Sequence, residues 1–393
     1  MVAGICIHNA TVFNGYSTMR NCAVLIKQNK IIDVFNEERF LKKEFKADTQ
    51  FIDAKGAFVA PGFIDTHIHG IGGFGTEDCS PDSILKMSEN LLQYGVTSFI
   101  PTLYSAPKEK MLQGINAVVA AMGKEKGARI LGMHLEGPFI SPERLGVQSA
   151  DSISPVDLNL MEEFWEASSG HIINMTVAPE LKHMRELALF CLSKGIVLQA
   201  GHTNATYKQM IEGMQARIMH VTHLFNAMSR MHHRDPGVVG AVFIHPELSC
   251  EVIADGIHIN PEIIKFLLTC KSLDKVVLVT DALKPTKQKK KKLLANGEEV
   301  YLDKCFYRKS DNAIAGSALT MLDSVRNIVS YGFNFEQTVR MASTNPARIM
   351  KKDHLGVIAP GYEADIVILN EKLKLLYTII QGKIFQKGKK LCV

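Results

Sequence analysis

The stretch Ala57-Phe-Val-Ala-Pro-Gly-Phe-Ile64, followed directly by Asp65-Thr-His67-Ile-His69, sets the pattern on which the fold depends. A short apolar run ends in polar side chains that can bind ions or transfer protons. Seven further runs rich in Val and Ile follow along the chain, with segments of helical period between them: Val96–Pro101, Arg129–Leu135, Ile172–Ala178, Ile196–Ala200, Ile218–Thr222, Cys250–Ala254 and Lys275–Thr280. Strands that alternate with helices predict parallel βα units, and eight such strands close a (β/α)8 TIM-type barrel of the α/β class.

The two ends of the chain have a different pattern. Residues 1–55 and 356–393 contain short strand-like runs such as Ala364–Leu369, and turn signals such as Asn14-Gly15 and Gly382 separate these runs. Short runs bounded in this way predict β-strands. We therefore expect the two ends to form one small β-sandwich domain and residues 56–355 to form the barrel.

The composition limits the class of protein. Of the 393 residues, 46% are hydrophobic and 22% are charged, which is ordinary globular usage and excludes a disordered or collagen-like chain. No apolar run reaches about 18 residues, so we expect no membrane span. The net charge of +5 is small for this length and gives no reason to expect nucleic acid as a partner. The eight cysteines contain no CxxC pair and the N-terminus has no signal-peptide pattern, so we expect reduced thiols and a cytoplasmic location.

Polar side chains stand at the carboxyl-terminal ends of the predicted strands, and in a barrel these ends meet at one mouth. His67 and His69 are two residues apart, so on a strand both imidazoles point to the same side and can face one ion. Strand 3 ends in Glu136, and strands 5 and 6 are followed by His202 and His223. These three residues match the number of ligands that a catalytic zinc site takes from a protein.

The donor set predicts a metal-dependent hydrolase. Imidazole and carboxylate together suit zinc, iron, cobalt or manganese. Asp281, at the end of strand 8, is well placed to accept a proton from water at such a site. His134 alternates with Glu136 on strand 3, and we expect it to support the ligands or pack rather than bind an ion. The run Lys287–Lys292, interrupted by Gln288, is interpreted either as a solvated loop or as an anion-binding patch.

Several of these segments together resemble one known family. They are Pro61–His69, His134-Leu-Glu-Gly-Pro-Phe139, Gly201-His-Thr203, Thr222-His-Leu-Phe-Asn-Ala-Met228, His233-Arg-Asp-Pro-Gly237, Ile253–His258, Val279–Ala282 and Ala315-Gly-Ser317. Nearly the whole chain is similar to the N-acetylglucosamine-6-phosphate deacetylases of the amidohydrolase superfamily. The resemblance implies hydrolysis of the acetamide of N-acetyl-D-glucosamine 6-phosphate, which gives D-glucosamine 6-phosphate and acetate in amino-sugar catabolism. It also implies one or two divalent ions per subunit, zinc before iron, cobalt or manganese, and a homodimer.

The resemblance assigns roles to individual residues. Glu136, His202 and His223 would hold the principal ion, and His67 and His69 would hold a second ion where two are present. Some members bind one ion and lack the HxH pair, so the number of ions stays open here. The residues that correspond to substrate contacts in the family are His258 for the carbonyl oxygen or a sugar hydroxyl, the backbone of Asn226 and Ala227 and the guanidinium of Arg234 for the phosphate, and the loop residues Val147, Gln148, Ile314, Ala315 and Gly316.

Two features affect how far the resemblance carries. In related dimers a neighbouring subunit supplies phosphate contacts, so Arg234 is a candidate for action across an interface. The Lys-rich stretch Leu283–Asn312 matches the family poorly and follows Asp281 directly. A changed lid near the site would leave the range of substrates open, including other N-acetylhexosamine 6-phosphates.

Two other functions compete with deacetylation. A cyclic-amide hydrolase or nucleobase deaminase of the same superfamily is one, and many cyclic-amide hydrolases place a carboxylated Lys at the end of strand 4. Here that end reads Thr176-Val-Ala-Pro-Glu180, with no Lys before Lys182, and Glu136 offers the bridging carboxylate instead. A barrel that has lost catalysis and serves as a scaffold is the other. Such a protein would have lost ligands, whereas all six expected polar groups are present.

Overall fold

The computed structural model of the chain describes residues 4–290 and 292–386. Its strands are, in chain order, β1 Gly4–Phe13, β2 Thr18–Lys27, β3 Lys30–Asn36, β4 Thr49–Asp53, β5 Phe58–Pro61, β6 Phe63–Ile68, β7 Gly70–Ile71, β8 Phe74–Gly75, β9 Val96–Tyr104, β10 Arg129–Ile130, β11 Met133–Glu136, β12 Ile172–Val177, β13 Val197–Ala200, β14 His220–Val221, β15 Ser249–Ile253, β16 Val276–Val279, β17 Leu293–Ala295, β18 Glu298–Asp303, β19 Cys305–Arg308, β20 Ile314–Gly316, β21 Ile366–Leu369, β22 Leu375–Ile380 and β23 Lys383–Gln386.

Helices separate most of the barrel strands. They are α1 Glu37–Lys42, α2 Pro81–Leu91, α3 Lys108–Ala121, α4 Leu158–Ala167, α5 Met184–Ser193, α6 Tyr207–Gln215, α7 Gly237–Ile244, α8 Pro261–Cys270, α9 Met321–Ser330, α10 Phe335–Val339 and α11 Asn345–Ile349. Side-chain caps fix several starts, because Thr206 and Thr320 each accept a hydrogen bond from the backbone three residues on. No helix in the described ranges is both long and apolar enough to cross a bilayer.

The predicted barrel is confirmed. Strands β6, β9, β11, β12, β13, β14, β15 and β16 follow one another as parallel neighbours. Just beyond their ends, the first and last strands are joined by backbone hydrogen bonds from Asp281 to His67 at 2.8 Å and from His69 to Ala282 at 3.0 Å. These bonds bring the HxH segment and the strand-8 aspartate together at the barrel mouth.

The first predicted strand is two strands, so the prediction of one continuous run over Ala57–Ile64 is wrong. β5 pairs with β1 and β21 in a separate sheet, whereas β6 pairs with β9 in the barrel. Gly62 lies between them, and a Cβ there would approach the Thr97 side chain to 2.2 Å. Both halves are apolar because each is buried in a different core, and an apolar run alone does not show where one sheet ends and another begins.

The two ends of the chain form one small β-domain, as predicted. Its sheet runs in the order β23-β22-β21-β5-β1-β2-β3, and β4 also pairs with β1. β1 has β2 along one edge, and β4 and β5 along successive lengths of the other, so the sheet branches there. The exact boundaries 1–55, 56–355 and 356–393 stay predictions. Cys392 is in the segment 387–393, which lies outside the described residues. The seven cysteines among the described residues are free thiols.

The Lys-rich stretch Leu283–Asn312 contains the first three strands of a small antiparallel sheet, β17-β18-β19-β20. Phe306 and Val300 from this sheet pack with Leu283 and Tyr104 of the barrel mouth. Lys287 pairs with Asp323 at 2.8 Å, and Lys291 lies outside the described residues. The last strand of the sheet, β20, therefore reaches the mouth beside the predicted site.

Candidate active site

Glu136 is the centre of the site. It ends β11 and is buried, and four imidazoles surround its carboxylate. Its Oε1 lies 3.3 Å from His67 Nε2, 3.2 Å from His202 Nε2 and 3.3 Å from His223 Nε2. Its Oε2 lies 3.4 Å from His69 Nε2. The five residues proposed as metal ligands from the sequence thus come together around one carboxylate, although they are spread over more than 150 positions of the chain.

Asp281 joins this group from the last barrel strand. Its Oδ1 lies 3.6 Å from His67 Nε2 and 3.4 Å from His69 Nε2. Two clusters of metal-ligand type result, one of His67, His69 and Asp281 and one of Glu136, His202 and His223, and within each the ligand atoms lie within 4.8 Å of one another. The Glu136 carboxylate belongs to the second cluster and also contacts both histidines of the first.

The tautomers of the histidines fit bound cations. His202 Nδ1 lies 3.0 Å from the carbonyl oxygen of Arg144, and His69 Nδ1 lies 3.2 Å from that of Thr102. A carbonyl only accepts, so each Nδ1 donates and each Nε2 keeps its lone pair. His202 Nε2 then points toward His223 Nε2 at 3.1 Å. With a lone pair on each of these nitrogens, the two rings and the Glu136 carboxylate would repel one another, and a cation among them would relieve that repulsion, as in a metal site.

A buried carboxylate supports the first histidine. Glu251 of β15 has no exposed surface, and its Oε2 accepts a hydrogen bond from His67 Nδ1 at 3.0 Å. Burial opposes ionisation of Glu251, but His67 and then His220 hold the pKa of its carboxyl well below the usual range. Charged Glu251 fixes His67 with Nε2 facing Glu136 and Asp281. Histidines that bind metals commonly have such a carboxylate on the other ring nitrogen.

His134 is not placed as a ligand. Its Nδ1 lies 3.1 Å from Thr102 Oγ1 and its Nε2 lies 2.8 Å from Thr176 Oγ1, so both ring nitrogens are in use. Burial, with a further contribution from neighbouring His67, lowers its pKa to about 3, and the ring is therefore neutral. The structure agrees with the supporting role expected from the sequence.

Three site residues have left-handed backbones. The φ angles of His202, His223 and Asp281 are 47°, 29° and 48°. Such a conformation costs a residue other than glycine about 1–3 kcal/mol and persists where the surrounding structure enforces it. Each of these residues lies two positions after the last residue of a barrel strand, in the turn at the mouth of the barrel.

A cavity of about 230 Å³ opens above the ligand clusters. Besides the ligands, it is lined by every substrate-contact residue proposed from the sequence except Arg234: Val147, Gln148, Asn226, Ala227, His258, Ile314, Ala315 and Gly316. Gln148 Nε2 donates to Glu136 Oε2 at 2.7 Å, which links the wall of the cavity to its floor. Arg234 is exposed outside the cavity, with its guanidinium 3.2 Å from His233 Nε2.

Sequence reasoning missed three neighbours of the site. Tyr104 stacks on His69 with ring centroids 3.8 Å apart and lines the cavity, because β9 continues three residues beyond its predicted end. Glu251 lies inside the apolar run Cys250–Ala254, and a single acid inside such a run is itself a signal of a buried partner. Asp255 contacts His258, its Oδ2 accepting from His258 Nδ1 at 2.6 Å.

Comparison with known proteins identifies the family. A model of the amidohydrolase family matches residues 58–385, which is most of the chain. The chain belongs to the amidohydrolase family. It is 32% identical over 385 residues to N-acetylglucosamine-6-phosphate deacetylase of Lysinibacillus sphaericus, covering 96% of this chain and 97% of that protein. It is 29% identical over 329 residues to N-acetylgalactosamine-6-phosphate deacetylase of Escherichia coli O157:H7, covering 83% and 87% of the two chains.

Solved structures agree with these relatives. N-acetylglucosamine-6-phosphate deacetylase from Pasteurella multocida superposes with a TM-score of 0.90 at 29% identity, over 98% of this chain and 100% of that one. A mutant of the Mycobacterium smegmatis deacetylase in complex with N-acetyl-D-glucosamine-6-phosphate gives 0.89 at 26% identity, over 97% and 99%. The resemblance to this deacetylase family that the sequence motifs indicate is therefore confirmed over nearly the whole of this chain.

Proposed function

We propose that this amidohydrolase removes the acetyl group of N-acetyl-D-glucosamine 6-phosphate to give D-glucosamine 6-phosphate and acetate. The observation that carries the proposal is the set of four imidazoles and Asp281 around Glu136, at the floor of a cavity lined by the expected substrate contacts. Full-length similarity to deacetylases of this substrate supports the choice among amide hydrolases.

Two divalent ions are proposed for the site. Glu136, His202 and His223 would hold one and His67 and His69 the other. The grouping of the ligand-type atoms supports this arrangement, because Glu136, His202 and His223 form one cluster and His67 and His69 belong to another. Zinc is favoured by the imidazole and carboxylate donors. When bound, such ions lower the pKa of a water and polarise a carbonyl.

Asp281 carries the proton in the proposed reaction. Water attacks the acyl carbon, a C–O bond forms, and the Asp281 carboxylate accepts the proton that the water loses. The C–N bond then breaks, and the same carboxyl group returns the proton to the leaving nitrogen. One water is consumed, and the products are the amine and acetic acid, which ionises to acetate and releases its proton to the amine or to solvent. Asp281 Oδ1 faces the HxH pair on one side and the cavity on the other, which suits this role.

Arg234 is proposed to bind the phosphate of a substrate held by a second copy of the chain. A planar guanidinium matches a phosphate through two hydrogen bonds. Within one copy, Arg234 is exposed and lies apart from the cavity lining, so it is free to complete a neighbouring site. The backbone of Asn226 and Ala227 supplies contacts from the same subunit. A homodimer is therefore part of the proposal. A cytoplasmic location is proposed as well, in keeping with the free thiols of the described cysteines.

N-acetyl-D-galactosamine 6-phosphate is a second candidate substrate. The relative from Escherichia coli O157:H7 carries a name for that activity. The two sugars differ only in the orientation of one hydroxyl. Strand β20 lines the cavity, and it pairs with β19, which lies in the Lys-rich stretch that matches the family pattern poorly.

The experiment is acetate release by metal-stripped protein to which zinc, cobalt, manganese or iron is returned. Substrates are N-acetylglucosamine 6-phosphate, its galacto epimer, and unphosphorylated N-acetylglucosamine. We expect metal-dependent turnover of the gluco phosphate, with at least about 100-fold lower kcat/KM without the phosphate, equal to some 2.7 kcal/mol. Metal bound in full stoichiometry with no acetate from any of the three would rule out this activity.

A further inference from the structure

Asp255 and His258 form a rigid pair beside the cavity. His258 Nδ1 lies 2.6 Å from Asp255 Oδ2, and the two side chains are only 5% and 4% exposed. The other carboxylate oxygen accepts the backbone N–H groups of Ile257 and His258, each at 2.8 Å. Gly256, with φ of +74°, makes the turn that returns the chain onto Asp255. Backbone and side chain therefore hold the carboxylate in one orientation.

This pair determines what His258 presents to a substrate. Because Nδ1–H donates to a carboxylate, only Nε2 remains for the cavity that His258 lines. Cys305 of β19 forms a cluster with this pair, because its Sγ lies within 4.8 Å of the ligand-type atoms of Asp255 and His258. Burial raises the pKa of the Cys305 thiol, so the thiol is neutral. In this cluster the compensating charge for a protonated His258 is thus Asp255.

We propose that Asp255 is a positioning residue that acts through His258. Its carboxylate fixes the ring and compensates the charge of an imidazolium, so that His258 donates Nε2–H to the acyl oxygen as negative charge develops there. Donors aimed at developing charge lower the barrier more than they improve ground-state binding. The assignment rests on the proposed deacetylase activity and adds a residue to it.

The kinetic test is a double-mutant cycle on the metal-loaded enzyme with Asp255→Asn, His258→Gln and the double variant. We expect Asp255→Asn to lower kcat by about 10–100-fold while KM changes by less than about 3-fold. This loss is smaller than the 10²–10³-fold that complete loss of one such donor costs, because the His258 ring itself remains. In the His258→Gln background, Asp255→Asn should change kcat by less than about 2-fold, because its target is gone. Asp255→Glu should restore part of the loss.

Asp157→Asn is the matched control. Asp157 also accepts two backbone N–H groups, from Asn159 and Leu160, but it caps α4 away from the cavity, so its variant should keep kcat unchanged. A rise in KM at constant kcat for Asp255→Asn, or a full additional loss in the His258→Gln background, would overturn the proposal. A difference in kcat between wild type and Asp255→Asn that appears only with excess Zn²⁺ and vanishes in the Cys305→Ala background would also overturn the proposal. Asp255, His258 and Cys305 would then form a metal site.

A measurement without substrate separates this proposal from the deacetylase assignment. In protein labelled with ¹⁵N-histidine, the Nδ1–H proton of His258 should give a strongly downfield resonance that disappears in both Asp255→Asn and His258→Gln. The resonance without deacetylation would refute the proposed function and leave the pair intact. Deacetylation with no such resonance, and with normal kcat in Asp255→Asn, would refute the positioning role alone.

Discussion

His67 Nδ1 lies 3.0 Å from Glu251 Oε2, and neither side chain has any exposed surface. The contact joins the first barrel strand to the seventh, 184 residues further along the chain. The opposite nitrogen of the same ring, Nε2, lies 3.3 Å from Glu136 Oε1. One buried carboxylate therefore sets which nitrogen of His67 is free to bind a cation.

Glu251→Gln should weaken metal binding. The amide cannot supply the negative charge that holds His67 with Nδ1 protonated, and loss of such a partner typically costs 10–100-fold in metal affinity. Competition with a chromogenic chelator measures the effect, and the weaker of two ions should respond most. Glu299→Gln, which alters an exposed ion pair with Lys309, is the control. Unchanged affinities for both ions in Glu251→Gln would show that His67 needs no charged partner.

Asp281→Asn should separate chemistry from metal content. The amide cannot accept the proton of the attacking water, so we expect kcat to fall by about 10²–10⁴-fold, the range of general acid–base catalysis. Metal analysis should show the Glu136, His202 and His223 ion retained. Asp274→Asn, at an exposed carboxylate 3.3 Å from Arg340, is the control and should keep full activity. Normal turnover of Asp281→Asn would remove this residue as the proton acceptor.

Removal of metal should lower thermal stability. His202 Nε2, His223 Nε2 and Glu136 Oε1 lie within 3.3 Å of one another, and a bound cation would relieve the repulsion among their lone pairs. A ligand that binds only the folded state at 100 times its Kd stabilises that state by about 2.7 kcal/mol. The stripped protein should therefore unfold at a lower Tm than the reloaded one at the same scan rate. In Glu136→Gln the difference should shrink, and equal Tm values for stripped and reloaded wild type would contradict a structural role of the ions.

The sequence predicts the site residues that stand as polar side chains at the end of an apolar run. His67, Glu136, His202, His223 and Asp281 all stand at such positions, and barrel closure alone then brings them together. A polar residue inside an apolar strand, such as Glu251, indicates a buried partner but does not identify it. The partner, His67, is distant in sequence, and local periodicity does not show pairing across a barrel.

The boundaries between sheets are the second feature that the sequence does not predict. The run that contains Gly62 is apolar throughout because β5 and β6 are both buried, yet they belong to different sheets. The sequence predicts β17, β18 and β19 only as part of a Lys-rich insertion, because β17 and β18 are short and each buries a single residue. Both features depend on which surface each segment packs against, and that surface comes from elsewhere in the chain.

Arg234 should act on the phosphate alone and in the neighbouring subunit. Arg234→Ala should lower kcat/KM for the phosphorylated sugar by at least about 10-fold, since hydrogen bonds to charged groups contribute 1.5–3 kcal/mol, with little change for the unphosphorylated sugar. Lys309→Ala, at another exposed cation, should change neither.

Mixing two impaired variants decides where the guanidinium acts. In a heterodimer of Arg234→Ala and Asp281→Asn, one site has both its own Asp281 and the Arg234 of the other copy, provided that Arg234 reaches across the interface. Random mixing then restores roughly a quarter of wild-type activity, because half the dimers are mixed and each has one complete site of two. If Arg234 serves its own subunit, each mixed dimer has two damaged sites and activity stays at the mean of the two parents. A monomer in solution, with the same loss in Arg234→Ala, would likewise place the phosphate contact within one chain.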